Sequence, residues 1–266
     1  MSKLAIVGGG FMGGALAEGL IDAGWHRDSF VVAEISRDRR EHLTERLKLR
    51  TTDDAVAAVA SASTVLIAIK PQGVPAMLEA LAPRWTPDKA CISICAGIPI
   101  ARFEAALPGA PVLRTMPNMP AAAGMGVTAI ARGAHATDQH LATALNILSA
   151  VGRVVVVDEA QMDAVTAVSG TGPAYVFYLA QALIEAALAE GLDREQANLL
   201  VHQTFVGAAH LLQHDGSGPE ELRRRVTSPN GTTHAAITHL EATGWAATFR
   251  EAVAKARARA AELGRG

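Results

Sequence analysis

The chain has 266 residues, half of them apolar, a net charge of −2 and two cysteines. That length allows about two domains and a sizeable core, and near-neutral charge without a long Lys/Arg block excludes nucleic acid as an expected partner. Cys91 and Cys95, four apart in one apolar segment, form neither a disulfide framework nor a zinc pattern; they read as buried thiols in a reducing cytoplasm.

No uninterrupted apolar stretch of about 18 residues stands out as a membrane span. Residues 4–17 follow Lys3 and would imitate a signal peptide, but glycines break the run. The first strand, residues 3–7, is Lys-Leu-Ala-Ile-Val. Gly8-Gly9-Gly10-Phe11-Met12-Gly13 follows and fits G-x-G-x-x-G, and a helix is expected from Ala15 to Gly24. Strand, glycines and helix together form a dinucleotide-binding device. Gly8 permits the tight turn, Gly10 lets the backbone approach the pyrophosphate, and Gly13 lets helix and strand pack closely. Phe11 and Met12 complete the candidate loop. The phosphates then face free N–H groups at a helix N-terminus.

Further strands are expected at residues 30–34, 65–69, 90–95, 112–115, 127–131 and 153–157, with helices between most of them. The alternation implies parallel pairing through right-handed crossovers, hence an α/β fold with a Rossmann-type doubly wound sheet. Past Asp158 no strand pattern remains. Helices are expected at 160–168, 173–190, 194–213, 219–226, 233–243 and 245–263, punctuated by Gly and Pro clusters. The chain thus divides into a dinucleotide-binding domain, 1–157, and an all-helical domain, 158–266.

Glu34 ends the second strand about twenty residues after the glycine turn, where an acid accepts hydrogen bonds from the adenosine ribose and favours NAD. Ser36 and Arg37 follow and are suited to a 2′-phosphate, so the two signals conflict. Arg39 and Arg40 read as a solvated helix start. Lys70-Pro71-Gln72 ends the 65–69 strand, either over the cofactor or as a plain strand-ending turn. Asn118, flanked by Pro117 and Pro120, offers an amide that donates and accepts. Ser169-Gly170-Thr171-Gly172-Pro173 and Ser228-Pro229-Asn230-Gly231-Thr232-Thr233 each precede a helix. Each is either a carboxylate site or a helix cap. His210 and His214 have the spacing of a metal pair but no evident third ligand, so no metal is expected.

Five segments in this order resemble pyrroline-5-carboxylate reductase. They are the glycine turn, Ala68-Ile69-Lys70-Pro71-Gln72, the stretch from Arg114 to Pro120, the stretch from Met162 to Tyr175, and Val226-Thr227-Ser228-Pro229-Asn230-Gly231-Thr232-Thr233. The resemblance covers nearly the whole chain. It implies reduction of L-1-pyrroline-5-carboxylate to L-proline, the last step of proline synthesis, with NADPH as cofactor and NADH a plausible alternative. It implies cofactor contacts from Ala68, Ile69, Lys70, Pro71 and Asn118. It also implies a catalytic hydrogen bond from Thr233 to the ring nitrogen, and a carboxylate cradle from Ser228, Asn230, Gly231, Thr232 and Ser169. Family members are dimers with intertwined helical domains, and assembly as far as decamers is compatible. One departure stands out: Asn230 replaces the first of two glycines usual after the proline, and Asn tolerates positive φ. Two other classes remain. One is another Rossmann dehydrogenase or imine reductase with a helical second domain, weakened because the helical half has Lys255 alone as a lysine. The other is a non-catalytic NAD(P)-sensing protein.

Overall fold

The computed structural model describes residues 2–265. The first part runs β1 (Ser2–Val7), α1 (Phe11–Asp22), β2 (Phe30–Ala33), α2 (Arg37–Leu47), β3 (Thr51–Thr52), α3 (Ala55–Ala60), β4 (Ala62–Ile67), α4 (Val74–Leu81), β5 (Ala90–Ser93), α5 (Ile100–Ala106), β6 (Val112–Met116), β7 (Gly126–Arg132), α6 (Asp138–Leu148) and β8 (Gly152–Val156). The eight strands form one sheet in the order β3-β2-β1-β4-β5-β6-β7-β8. Strands β1, β2, β4 and β5 are apolar on both faces because helices cover both. On one face Leu4, Ile6, Leu66 and Ile92 pack with Leu16 and Leu20 of α1 and Ile147 and Leu148 of α6. On the other, Val65, Ile67 and Val112 pack with Leu78 and Leu81 of α4 and Phe103 of α5.

The order reverses between β1 and β4, which places a ligand crevice at their C-terminal ends. The expected strands are all present, and β3 is an addition too short to carry a pattern. The expected parallel pairing fails at one step: β7 runs antiparallel to β6, and β8 follows β7. Only a short 3₁₀ turn, Met119–Ala123, joins β6 to β7. A parallel return needs a crossover of a dozen or more residues. Cys91 and Cys95 are buried and unpaired by disulfide, and burial pushes both thiols above their ordinary pKa.

Beyond β8 come α7 (Met162–Val165), a π-helical turn (Thr166–Gly170), α8 (Gly172–Ala189), α9 (Arg194–His214), α10 (Pro219–Arg225), α11 (Thr232–Ala242) and α12 (Trp245–Arg265). Their starts are chemically marked. Asp193 caps α9 with Gln196 reciprocating, and Pro219 opens α10. The chain separates into two compact units, and the division differs from the expected one at residue 158. The first unit extends to Thr171 and regains the chain from Ala256 onward; the second is Gly172–Lys255. The reason lies in residues 159–171. Glu159 accepts hydrogen bonds from the Ile100 N–H at 2.7 Å and from Arg114 at 3.2 Å, while Met162 and Ala167 are buried.

The helical run Glu159–Ala189 is long and apolar enough to cross a membrane by length and composition. The run is interrupted by Ser169-Gly170-Thr171-Gly172-Pro173 and passes on average hydropathy because Ala, Val and Leu flank that interruption. The second unit also exposes large apolar side chains. Among its described residues only Ala197 and Val201 are buried, while Tyr178 is 74 % exposed and Leu199 69 %. Exposed apolar surface on this scale marks a protein interface. The chain is expected to be at least a dimer in light scattering, through residues of the second unit. A stable, active monomer would overturn this.

Candidate functional site

Parallel register sets Val7 beside Ala33 and Ile67, so β1, β2 and β4 end side by side. Gly8 follows β1 with φ +104°, and a Cβ there would lie 2.5 Å from the Ala68 carbonyl oxygen. A Cβ at Gly13 would overlap the Gly8 carbonyl. These two glycines let the first turn of α1 sit directly on the end of β1. Gly10 caps α1 without a side-chain bond, and no atom lies within 4 Å of the Cβ it lacks. The N–H groups of Gly10, Phe11 and Met12 donate to no other described residue. This is an open cradle of donors at a helix N-terminus, and it fits a pyrophosphate. The Phe11 side chain is 55 % exposed, whereas Met12 packs into the core and offers a ligand only its N–H.

Glu34 has a more specific role than its position foretold. Its carboxylate accepts from the Gly9 N–H and from the Ser36 N–H, each at 2.8 Å. It therefore braces the glycine turn and still has lone pairs with which to accept further donors. The Ser36 hydroxyl caps α2, and Arg37 pairs with Glu41 at 2.7 Å, exposed. Arg40 is not a solvated helix residue as expected. Its guanidinium donates to the Glu34 and Ile35 carbonyls at 2.8 and 2.9 Å and pairs with Asp53, because the end of β2 leaves those carbonyls without strand partners. Ile35, missed in the sequence, is 90 % exposed beside Glu34. An apolar residue directly after a strand-ending acid was the available signal.

Ala68 donates to the Val7 carbonyl at 2.7 Å and lies against Gly8. Ile69 sits next to it, Lys70 is exposed, and Pro71 opens a 3₁₀ turn. Asn118 is occupied within the protein. Its Oδ1 accepts from the Val127 N–H at 2.9 Å, and its Nδ2 donates to the Ser169 carbonyl at 3.2 Å. The Ser169 hydroxyl donates back to the Val165 carbonyl inside the π-helical turn.

The second unit holds the other candidate. Ser228 to Gly231 form a turn closed by Gly231 N–H to the Ser228 carbonyl at 3.1 Å. Pro229 takes its second position and Asn230, at φ +59°, its third; this is the residue pattern of a type II turn. A Cβ at Gly231 would lie 2.5 Å from Ser228 Oγ. α11 begins at once, with Gly231 as its cap and no side-chain cap bond. The N–H groups of Thr232, Thr233 and His234 and the Thr233 hydroxyl donate to no other described residue. Ser228 and Thr232 are exposed and Thr233 is half-buried. His210 and His214 stack at 4.2 Å, and no described cluster of three His, Cys, Asp or Glu could hold a metal.

Residues 159–263 match the family described as pyrroline-5-carboxylate reductase dimerisation, and residues 3–97 match NADP oxidoreductase coenzyme F420-dependent. The chain is 41 % identical to pyrroline-5-carboxylate reductase of Pseudomonas aeruginosa, covering 98 % of this chain and 96 % of that protein. It is 39 % identical to that of Methanosarcina acetivorans, over 99 % and 98 %. The solved pyrroline-5-carboxylate reductase of Coxiella burnetii superposes with a TM-score of 0.93 at 33 % identity, covering 98 % of both chains. The Plasmodium falciparum pyrroline carboxylate reductase with NADP bound gives 0.88 at 26 %, covering 99 % and 98 %. Identity at this level over the full length of both chains makes this protein a member of the pyrroline-5-carboxylate reductase family.

Proposed function

We propose that the chain reduces L-1-pyrroline-5-carboxylate to L-proline with NAD(P)H, as a soluble cytoplasmic enzyme of proline synthesis. The observation that carries this reading is the turn from Ser228 to Gly231. It opens onto a helix start whose N–H groups and hydroxyls are free, on a chain of this family. Bound at the glycine cradle, the nicotinamide cofactor supplies a hydride. The protein's part is to hold the substrate. Ser228, Asn230, Gly231 and Thr232, with the first N–H groups of α11, are assigned to the carboxylate. Thr233 is assigned the hydrogen bond to the ring nitrogen. A protonated cyclic imine is already electrophilic, so orientation matters more than a strong acid. Reduction of the protonated imine adds one hydride to the ring carbon of the C=N bond, and the nitrogen keeps the proton it already carries.

The cradle is assigned to Gly8, Gly10, Phe11, Met12 and Gly13, with Ala68, Ile69, Lys70 and Pro71 flanking the nicotinamide end. Ile35 is assigned to an adenine face. The family resemblance points to NADPH, but Glu34 argues for NADH at least equally. A 2′-phosphate there meets a carboxylate, while Arg37 and Arg40 are engaged elsewhere. The apolar helices are assigned to a dimer interface rather than to lipid, and assembly beyond a dimer is compatible with this.

Gly10→Val fills the open space and leaves the fold intact. NAD(P)H affinity should drop at least about tenfold, or about 1.4 kcal/mol, in a fluorescence titration; unchanged affinity would remove the loop assignment. For Glu34→Ser, the ratio of kcat/KM values should shift toward NADPH, since a like charge is removed from the 2′ position. A ratio that stays put shows that Glu34 does not face the ribose.

Thr233→Ala should lower kcat/KM for pyrroline-5-carboxylate by about ten- to a thousandfold, the range of lost orientation and hydrogen bonding. The melting temperature should hardly move, because Gly231 caps α11 and the Thr233 hydroxyl caps nothing. Normal turnover in this variant would make the hydroxyl a bystander.

A further inference from the structure

We propose that Arg225 is a positioning residue for the substrate: its grip on Asp215 and Ser217 sets the direction in which α10 delivers the chain into the Ser228–Gly231 turn. This rests on the reading that the turn holds the substrate carboxylate. Arg225 is the last residue of α10 and stands two residues before Thr227 gives way to the turn. Its Nη1 donates to both Asp215 carboxylate oxygens at 3.0 and 2.9 Å, its Nη2 to the Ser217 hydroxyl at 2.7 Å, and its Nε to Glu221 at 3.2 Å. The loop between α9 and α10 is thereby folded onto the last turn of α10.

Two further fastenings act on the same short segment. The Thr227 hydroxyl donates to the Arg223 carbonyl at 2.6 Å, which fixes how the chain leaves α10. Arg223 donates to Glu241 at 2.8 Å and ties α10 to α11, the helix whose start carries the free N–H groups. Apolar burial does not do this work, since Val226 is 66 % exposed and Ser228 and Pro229 are exposed. Hydrogen bonds from Arg224 and then Arg225 bring the Glu221 carboxyl down to about 2, so the network stays charged well into the acidic range.

Basic residues at a helix C-terminus also complement the helix dipole. That role needs only positive charge, which Lys supplies. The grip described here needs the planar fork of Arg, which Lys does not supply. Exposed ion pairs add little to stability, so the effect belongs in substrate binding and not in the melting curve.

The test uses the full chain with Arg225→Ala, Arg225→Lys and Asp215→Asn. Steady-state kinetics, melting curves and hydrogen exchange of residues 227–234 are measured together. The KM for pyrroline-5-carboxylate should rise about tenfold or more in both Arg225 variants, the scale of a misplaced binding group. The KM for NAD(P)H and the melting temperature should stay near wild type, and exchange at 227–234 should speed up. Arg225→Lys behaving as wild type would leave only the dipole role and overturn the proposal. So would both KM values rising together with early melting, which is the signature of a merely structural pair. A wild-type chain inactive on pyrroline-5-carboxylate would sink the substrate assignment and this proposal with it. Wild-type activity with unchanged KM and exchange in Arg225→Ala sinks the proposal alone.

Discussion

Contact between the backbone of α1 at Gly13 and the carbonyl of Gly8 sets the geometry of the whole nucleotide end. No side chain fits between them, so the helix start lies against the strand end and its free N–H groups face the mouth of the crevice. Neighbouring elements are adjusted to that contact. β4 brings Ala68 against Gly8 from one side, and β2 brings Glu34 to the Gly9 N–H from the other. Arg40 then holds the carbonyls that β2 leaves open. A donor cradle of this kind depends on rigid backbone placement, since an ordered dipole binds an anion without reorganising for it.

The two compact units meet the requirement for apolar burial differently. In the first, both faces of the sheet are covered from within the chain, and Leu4, Ile6, Leu66 and Ile92 are almost wholly buried. In the second, α8 has no buried residue, although its sequence is mostly Ala, Leu, Val and aromatics. Such a surface is costly in water, and the match of residues 159–263 to a dimerisation family names what covers it. The turn from Ser228 to Gly231 therefore sits in a unit with little core of its own. Its shape is held by polar means: a proline, a positive φ at Asn230 and the arginine network of α10.

Much of this was legible because the signals are local. Residues 4–7, 65–67 and 90–93 are apolar runs between turn residues, and each became a strand. Helices α9 and α11 begin where Asp193 and Gly231 mark them. Asn230 keeps the left-handed conformation that glycine usually supplies, as its tolerance of positive φ implies. What stayed hidden was set by pairing across the sheet. Thr51 and Thr52 form a strand only because β2 lies beside them. The reversal at β7 follows from the length of one connection. The roles of Arg40 and Asn118 depend on which carbonyls and N–H groups the fold leaves unpaired nearby. Residues 159–171 read as helical, like the second unit, yet Glu159 binds them to Arg114 and Ile100.

Glu34, proposed above as the ribose-facing acid, is also part of the architecture of the loop. The rule that an acid at this position selects the ribose treats it as a discriminator facing a ligand. Here both carboxylate oxygens already accept backbone N–H groups, one from the glycine turn and one from the start of α2. A carboxylate bonded in this way is held in a single orientation; if it faces the ribose as proposed, that would sharpen its repulsion of a 2′-phosphate and its grip on ribose hydroxyls. The same bonds mean that a smaller residue at position 34 releases the Gly9 and Ser36 N–H groups together. Released donors beside a former carboxylate position form a small anion site. Exchange of one side chain thus removes a negative charge and exposes two donors at the place where a 2′-phosphate would lie. On the proposed assignment of Glu34 to the ribose, selectivity between the two cofactors would follow from how the backbone of Gly9 and Ser36 is satisfied, as much as from the charge of Glu34 itself.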